Sequence, residues 1–256
     1  MPILDCRLTP TRRNLGAALA LFALTTLVPP ATARPPDPAP LDALLRAHVK
    51  AGVVDYAAFH GNAAFRGYAA ALAAPFGEAT RDERLAAYLN AYNVFAIQGI
   101  LDGLSPSSFL GRQRYFKLQT WTIDGRPIAL ERLENDVIRP FKDPRIHFAI
   151  VCASKSCPPL RGEAYVADRL DAQLEDQARR FVNDPSKNRF DKGKRTAYLS
   201  AIFKWFDEDF RGAGSVQKYL ARYVADGEVA RGLADDAYEV EWIEYDWTLN
   251  GPPPKR

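Results

Sequence analysis

The amino-acid sequence predicts an α+β fold: a single globular domain with a central buried helix packed on a small mixed or antiparallel sheet. Residues 82–101 carry bulky apolar side chains at spacings of three and four, as in a helix buried along most of its surface. Residues 115–123 alternate, and residues 146–152 form an apolar run that is too short for a helix. Helices and short strands are interleaved without a βαβ rhythm, which argues against a doubly wound sheet.

In chain order, the helical patterns end at residues that stop helices. Residues 42–50 are followed by Gly52, Gly103 closes the long apolar helix, and Pro140 ends a short one. Residues 168–182 form a clean amphipathic pattern, with apolar side chains at spacings of four, four and three. We therefore predict helices over residues 42–50, 63–75, 82–101, 130–138, 168–182 and 216–224.

The strand patterns are short and bounded by turn residues. Asp124-Gly125 joins residues 115–123 to a return strand at 127–130, which is typical of a hairpin. The apolar run 146–152 predicts a strand that is buried on both faces. Two further strands are predicted at residues 196–199 and 237–242.

The first thirty-three residues predict an export signal and not a part of the fold. Arg12-Arg13 precedes an uncharged apolar run, Leu15 to Val28, and small residues follow up to Ala33. A basic start, a short apolar run and a small-x-small exit characterise such a signal, and this run is too short to span a bilayer. We predict cleavage after Ala33 and a periplasmic or secreted protein. An uncleaved membrane anchor and export by the twin-arginine route stay open as alternatives.

The remainder is predicted to form one domain between two extended ends. Residues 34–40 are Pro-rich and predict a tether, residues 41–250 the domain, and residues 251–256 a flexible tail. The leader holds two more basic than acidic residues, so its removal lowers the formal net charge of +3 by two. The mature chain therefore gives no charge argument for nucleic acid. After residue 33 we predict no membrane span.

Residues 145–160 concentrate the side chains that are capable of covalent chemistry. His147, Cys152 and Cys157 lie within eleven residues, and the third cysteine, Cys6, belongs to the predicted leader. A thiolate attacks carbonyl groups well, and a neighbouring imidazole lowers its pKa or accepts its proton while a third polar group orients the ring. We predict these three residues as catalytic, with the two cysteines as equal candidates for the nucleophile.

Two polar side chains outside this segment are candidates for the third group. Glu134 lies on a short helix where it is placed to meet a buried partner such as His147. Asn93 lies with Asn90 on one face of the long helix, where a buried amide must be hydrogen-bonded. The alternative role of this pair is a polar link between the helix and a neighbouring loop. Residues 204–210 pair aromatic with acidic side chains, which favours a packed surface corner over a sugar site.

The spacing of the three catalytic candidates sets a condition on this chemistry. Side chains five apart on a regular strand point to opposite faces, so His147 and Cys152 meet only if the strand ends before Cys152. Residues 153–156 suggest that it does, and Lys155 would then help to hold a thiolate. In an exported chain Cys152 and Cys157 most simply form a structural disulfide, with His147 as a core histidine. The spacing lacks the usual pattern of metal ligands, so we predict no metal and no cofactor.

Motifs distributed over nearly the whole mature chain form a specific combination: Gly52-Val-Val-Asp-Tyr56, Tyr88-Leu-Asn-Ala-Tyr-Asn93, Ala129-Leu-Glu-Arg-Leu-Glu134, Arg145-Ile-His-Phe-Ala-Ile-Val-Cys152, Ser156-Cys-Pro-Pro-Leu160, Phe203-Lys-Trp-Phe206 and Tyr245-Asp-Trp-Thr-Leu-Asn250. In this combination the chain resembles the domain of unknown function 547 (DUF547) in its exported bacterial form. The resemblance implies one domain with the Asn-containing helix and the Arg-Ile-His strand at its centre. It implies no particular reaction.

Two functions remain open on the sequence alone. One is a thiol-dependent hydrolase or acyltransferase that acts on an amide or thioester in the cell envelope, with a pocket where His147, the Cys152–Cys157 loop, Glu134 and Asn93 converge. The other is a non-catalytic periplasmic binding or interaction domain with a Cys152–Cys157 disulfide. The expected partner is a small-molecule or peptide substrate, or an envelope protein, and not nucleic acid.

Overall fold

The computed structural model describes residues 34–254. The predicted export signal, its cleavage after Ala33 and the end of the predicted tail lie outside the described residues. Within that range no helix combines the length and the apolar character needed to cross a membrane. Two clusters of buried apolar side chains form the interior, one around the long helix and the other around Phe148 and Phe203.

Helices dominate the architecture, and the sheets are small, which confirms the predicted α+β class. The helices of eight residues or more in the described range are α1 (Ala39–His48), α2 (Ala63–Ala71), α3 (Arg81–Leu101), α4 (Leu170–Val182) and α5 (Gly227–Ala234). Shorter helical turns lie at Tyr56–Phe59, Phe109–Arg112, Leu130–Arg132, Ile146–Ala149, Ile202–Trp205, Asp207–Phe210 and Val216–Leu220.

The strands pair in three separate sheets. Two are antiparallel hairpins, β1 (Val49–Lys50) with β2 (Val53–Val54) and β3 (Thr120–Ile123) with β4 (Arg126–Ala129). The third sheet is mixed and has the order β5 (Arg189–Asp191), β6 (Thr196–Ser200), β7 (Glu239–Ile243). In it β6 pairs antiparallel with β5 and parallel with β7. The last pairing joins strands that are far apart in the chain.

Helix α3 is the central buried helix that the sequence predicts. Thr80 caps it: Thr80 Oγ1 accepts from the Glu83 amide at 3.3 Å, and the Thr80 amide donates to the Glu83 carboxylate at 2.7 Å. Its residues are buried on every face through most of its length, which explains the near-continuous apolar pattern. Phe95 stacks on Trp121 of β3, with ring centroids 5.3 Å apart. The helix therefore packs on a small antiparallel sheet.

Asn90 and Asn93 connect α3 to two other segments by paired hydrogen bonds. Asn93 Nδ2 donates to the Ala149 carbonyl at 2.9 Å, and Asn93 Oδ1 accepts from the Val151 amide at 2.9 Å. Asn90 makes the same pair of bonds with the backbone of Tyr165, at 2.8 and 2.9 Å. Each side-chain amide thus satisfies a buried backbone donor and acceptor as a neighbouring strand would. This is the polar link between helix and loop that the sequence left open.

The prediction of a buried strand at residues 146–152, at the centre of the fold, is wrong. Ile146–Ala149 form one helical turn, and the backbone is extended only from Ile150 (φ −94°, ψ 138°). The extended part pairs with the Asn93 amide and not with a strand. Residues 146–151 are all buried, and all but His147 are apolar. A run this short indicates burial but does not distinguish a strand from a helical turn.

The strand predicted over residues 115–123 is correct only in its second half. Gln113–Leu118 form a π-helix, and β3 begins at Thr120. Tyr115 is fully buried, and its hydroxyl donates to the Ala96 carbonyl of α3 at 2.6 Å. Leu118 is 71% exposed, so the apparent alternation does not reflect one buried and one exposed strand face. The helix predicted at residues 130–138 likewise changes into a π-helix, Leu133–Ile138.

Candidate active site

A cavity of about 420 Å³ is lined by four of the five side chains that the sequence predicts as catalytic: His147, Cys152, Cys157 and Glu134. Asn93 is not among the lining residues, because both polar atoms of its amide bind backbone groups of the neighbouring segment. The structure therefore places Asn93 behind the wall of the cavity. There it holds Val151, the residue that precedes Cys152.

Two π-helices form much of one side of this cavity. Gln113–Leu118 contributes Phe116 and Lys117, and Leu133–Ile138 contributes Glu134. A π-turn is wider than an α-turn and shifts the side chains that follow it, and such turns occur frequently at functional sites. Neither π-helix is visible as a distinct pattern in the sequence.

Residues 152–157 form a tight loop that brings two sulfur atoms together. Ala153 adopts the left-handed conformation (φ +60°), which turns the chain directly after Cys152. The Cys157 amide closes the loop by donating to the Ser154 carbonyl at 3.2 Å. The Sγ atoms of Cys152 and Cys157 are 2.8 Å apart, and the Cys152 amide donates to Cys157 Sγ at 2.8 Å. Both residues are free thiols in the structure, so the predicted disulfide is not shown.

A C-terminal segment, residues 245–250, fixes the cysteine loop from outside. The Lys155 amide donates to the Thr248 carbonyl at 2.8 Å, and the Asn250 amide donates to the Ala153 carbonyl at 3.0 Å. The Lys155 side chain, predicted to help hold a thiolate, is on an exposed residue and is not a hydrogen-bond partner of the cysteine. The segment explains why a motif near the end of the chain accompanies the cysteines.

The two thiols differ in their surroundings. Cys152 Sγ lies 3.1 Å from the Ser154 hydroxyl and 3.1 Å from the Tyr245 hydroxyl. Burial raises the pKa of Cys152, but its hydrogen bonds with Cys157, Ser154 and Tyr245 lower the pKa by more than burial raises it, so the pKa lies below its usual range. Burial and the neighbouring Cys152 raise the pKa of Cys157 well above its usual range. Cys152 is therefore the thiolate-forming member of the pair.

His147 lies between two carboxylates. Its Nε2 is 2.7 Å from Asp209 Oδ2, and its Nδ1 is 3.6 Å from Glu134 Oε1. Arg139 binds both oxygens of Asp209, and the imidazole stacks on Phe206 with ring centroids 4.0 Å apart. Burial lowers the pKa of His147, but the contacts with Asp209 and Glu134 raise the pKa by more than burial lowers it, so the net change is upward. The two carboxylates therefore favour the protonated ring.

The engagement of His147 limits what it does for the cysteines. Both of its ring nitrogens face carboxylates, whereas the hydrogen bonds of Cys152 Sγ go to Cys157, Ser154 and Tyr245. His147 and the thiols therefore share no hydrogen bond, and His147 Nδ1 has no hydrogen-bond partner among the described residues. Within residues 34–254, no group of three or more His, Cys, Asp or Glu side chains is arranged to hold a metal ion.

The sequence reasoning missed two residues of this site. Asp209 belongs to the segment 204–210, whose sequence pattern favours a packed surface corner, yet its carboxylate is the closest partner of His147. Tyr245 belongs to the C-terminal motif and binds Cys152. The only available signal was the combination of motifs itself, since a pairing between positions 62 residues apart leaves no local pattern.

Three aromatic rings pack on one another in the lining of the cavity: those of Trp205, Tyr245 and Trp247. The Tyr245 centroid lies 4.7 Å from that of Trp205 and 4.5 Å from that of Trp247, and the two tryptophan centroids are 5.8 Å apart. Trp205 is 49% exposed, so this wall reaches the rim of the cavity. The guanidinium of Arg112 lies over the Trp247 ring, 4.6 Å from its centroid. The cavity thus offers a flat apolar surface next to a thiol and several charged groups.

Comparison with known families gives one match. Residues 76–182 match the model of the family described as "Protein of unknown function, DUF547". The matched stretch includes α3, His147, Cys152 and Cys157, and it confirms the resemblance to this domain. Asp209 and Tyr245 lie outside it. No curated protein and no solved structure matched the chain significantly.

Proposed function

We propose that this chain, which carries a DUF547 domain over residues 76–182, is an exported thiol-dependent hydrolase or acyltransferase with Cys152 as its nucleophile. One observation carries the proposal: Cys152 Sγ lies at the wall of a cavity of about 420 Å³, 3.1 Å from the hydroxyls of both Ser154 and Tyr245. Ser154 Oγ donates to the Tyr245 hydroxyl at 3.1 Å, which leaves the Tyr245 proton to donate to a thiolate on Cys152. Such a hydrogen bond stabilises the thiolate, which is the nucleophilic form of cysteine. The cavity has the size and apolar lining of a small-molecule site.

The proposed reaction proceeds through an acyl-enzyme. Cys152 Sγ attacks the carbonyl carbon of the substrate, and the tetrahedral intermediate expels the leaving group to give a thioester on Cys152. Water, or an acceptor nucleophile, then releases the acyl group and restores the thiol. When the sulfur–carbon bond forms, the Tyr245 hydroxyl loses its thiolate acceptor and can donate a hydrogen bond to the intermediate without transferring its proton.

The site favours a thioester over an amide substrate. An amine leaves only when it receives a proton, a task that a histidine performs in many thiol and serine hydrolases. Here the nitrogens of His147 face Asp209 and Glu134, and no hydrogen bond joins His147 to Cys152. A thiolate leaves without a proton, so a thioester needs no such donor.

Acylation by a small thioester tests this proposal. Purified protein is mixed with S-phenyl thioacetate, and its intact mass is followed together with the release of thiophenol. We expect one acetyl group on the wild-type protein and on Cys157→Ala, and none on Cys152→Ala. Acetylation of Cys152→Ala at the wild-type rate would contradict Cys152 as the nucleophile.

A second candidate function is a non-catalytic periplasmic binding domain in which Cys152 and Cys157 form a structural disulfide. The observation that favours it is the short distance between the two Sγ atoms, 2.8 Å. A disulfide bond is about 2 Å long, so a small movement would bring the sulfur atoms into bonding distance. Thiol titration of denatured, unreduced protein separates the two candidates. Two free thiols support the enzyme, and almost none support the binding domain.

Export is part of the proposal and rests on the pattern of residues 1–33. If residues 1–33 are an export signal, the protein recovered from outside the cytoplasm begins at Arg34. Intact-mass analysis of that fraction measures this directly. A protein that begins at Met1 and stays in the cytoplasm would contradict both export and an envelope substrate.

A further inference from the structure

One charged side chain of the cavity lacks a counter-ion within residues 34–254. Lys117 Nζ lies 3.0 Å from Glu131 Oε1, and His147 faces Glu134. Arg112 also lines the cavity, and no carboxylate of the described residues lies within 4.0 Å of its guanidinium. A half-buried guanidinium keeps its charge at any ordinary pH, so its hydrogen-bonding capacity is available to a ligand.

Arg112 is nevertheless held in a defined position. Its Nη1 donates to the Pro106 carbonyl at 3.2 Å, and its guanidinium lies over the Trp247 ring, 4.6 Å from the ring centroid. Among the described residues Pro106 is its hydrogen-bond partner, which uses one of the five N–H groups of the guanidinium. A guanidinium that packs on an aromatic ring keeps its N–H groups free at the edge. That edge has the geometry that binds two oxygens at once.

We infer that Arg112 binds a carboxylate of the substrate, so that the acyl group carried by Cys152 belongs to a carboxylate-bearing thioester. The inference rests on the proposed function and specifies its substrate class. A single unpaired cation matches a monoanion, whereas a phosphate carries up to two charges and favours several cations. The apolar or planar body of the substrate would lie along Trp205 and Trp247, which line the cavity next to Arg112.

Two alkylating reagents of similar size test the inference without knowledge of the natural substrate. Iodoacetate is an anion and iodoacetamide is neutral, and both alkylate a thiolate. The second-order rate constants for Cys152 are measured by peptide mass analysis in the wild type, in Arg112→Gln and in the control Arg114→Gln. Arg114 is an exposed neighbour that does not line the cavity.

We expect the ratio of the iodoacetate rate to the iodoacetamide rate to fall about three- to tenfold in Arg112→Gln, and to fall with added salt in the wild type. The ratio should stay at the wild-type value in Arg114→Gln, and Arg112→Lys should retain most of it. An unchanged ratio in Arg112→Gln, with Cys152 still reactive, overturns the inference and leaves the proposed function intact. Cys152 that reacts no faster than a free model thiol contradicts the proposed function instead.

Ligand binding gives a readout that does not depend on the thiol. Benzoate and benzamide differ in their carboxylate, and Trp247 beneath Arg112 reports their binding by its fluorescence. We expect benzoate to bind the wild type and Arg114→Gln at least tenfold more tightly than benzamide does. This preference should disappear in Arg112→Gln. Equal binding of the two ligands by the wild type, or an equal preference in all three proteins, overturns the carboxylate subsite.

Discussion

Asp209 Oδ2 lies 2.7 Å from His147 Nε2, and this contact joins two segments that are 62 residues apart in the chain. Arg139 binds the same carboxylate through two nitrogens, at 2.7 and 2.9 Å. Burial raises the pKa of Asp209, but the contacts with His147 and Arg139 lower the pKa by more than burial raises it, so the pKa lies far below its usual range. The carboxylate therefore stays charged and favours the protonated form of the buried imidazole. Asp209 and Arg139 thus fix the His147 ring in one wall of the cavity.

This pairing predicts how stability depends on pH. The folded-state pKa of His147 is raised, so its contribution is fully present below the unfolded value of about 6.5 and is lost as the pH rises through the folded pKa. The folded pKa of Asp209 is lowered, so its contribution is present above about 3.9 and is lost as the pH falls further. The pair contributes most between these two values.

Replacement of His147 with Gln tests the pH dependence. At pH 6 we expect the free energy of unfolding to fall by about 2 kcal/mol, the usual contribution of a hydrogen bond to a charged group. The loss should become smaller as the pH rises towards 9, because the wild-type protein then loses the same contribution. Urea unfolding at pH 6, 7, 8 and 9 measures both. A difference that is constant or grows with pH would show that the folded protein holds His147 neutral.

Asn93 lies behind the wall of the cavity, and we expect its replacement to lower the stability of the fold. Asn93→Ala removes both bonds to Ala149 and Val151 and leaves a buried carbonyl and amide without partners, so we expect a loss of about 1–3 kcal/mol in the free energy of unfolding. A stable but inactive Asn93→Ala protein would instead support the predicted catalytic role.

How much of the fold the sequence predicts depends on whether burial and conformation go together. Helix α3 is twenty-one residues long, and its apolar positions continue from Leu85 to Leu101, too far for a strand, so the pattern identifies the helix and its bounds nearly to the residue. Over residues 146–151 the run is short, and burial on all sides is compatible with either conformation. In the structure Asn93 supplies the hydrogen bonds to Ala149 and Val151 that a neighbouring strand would supply, so no strand partner is needed there.

The site is predictable where its members are close in sequence. His147, Cys152 and Cys157 are found because rare side chains cluster, and Glu134 because it lies on a neighbouring helix. Asp209 and Tyr245 come from distant segments that are brought in by packing, and a single sequence contains no signal for such pairs. The same limit applies to the two thiols, since the donors that lower the pKa of one are visible only in three dimensions.

Gly52 lies close against Pro159, two residues after the cysteine loop, and its replacement should destabilise the fold. Gly52 has φ +80°, and a Cβ at this position would lie 2.4 Å from Pro159 Cβ. Gly52→Ala combines backbone strain with a steric clash, so we expect a loss of about 2–4 kcal/mol in the free energy of unfolding. Gly67→Ala is the matched control, because a Cβ there meets no atom within 4 Å. A loss at Gly52 no larger than the change at Gly67 would contradict the close approach.

Tyr245 should set the reactivity of Cys152. Tyr245→Phe removes one of the donors to Cys152 Sγ, and a hydrogen bond to a charged group contributes about 1.5–3 kcal/mol, so we expect the pKa of Cys152 to rise by about one pH unit or more. The thiolate fraction near pH 7 then falls, and so does the rate of acylation by S-phenyl thioacetate. The pH dependence of iodoacetamide labelling measures the pKa.

Tyr219→Phe is the control, because the Tyr219 hydroxyl is buried and has no hydrogen-bond partner among the described residues. A labelling midpoint that is the same in Tyr245→Phe as in the wild type would mean that the Tyr245 hydroxyl does not stabilise the Cys152 thiolate.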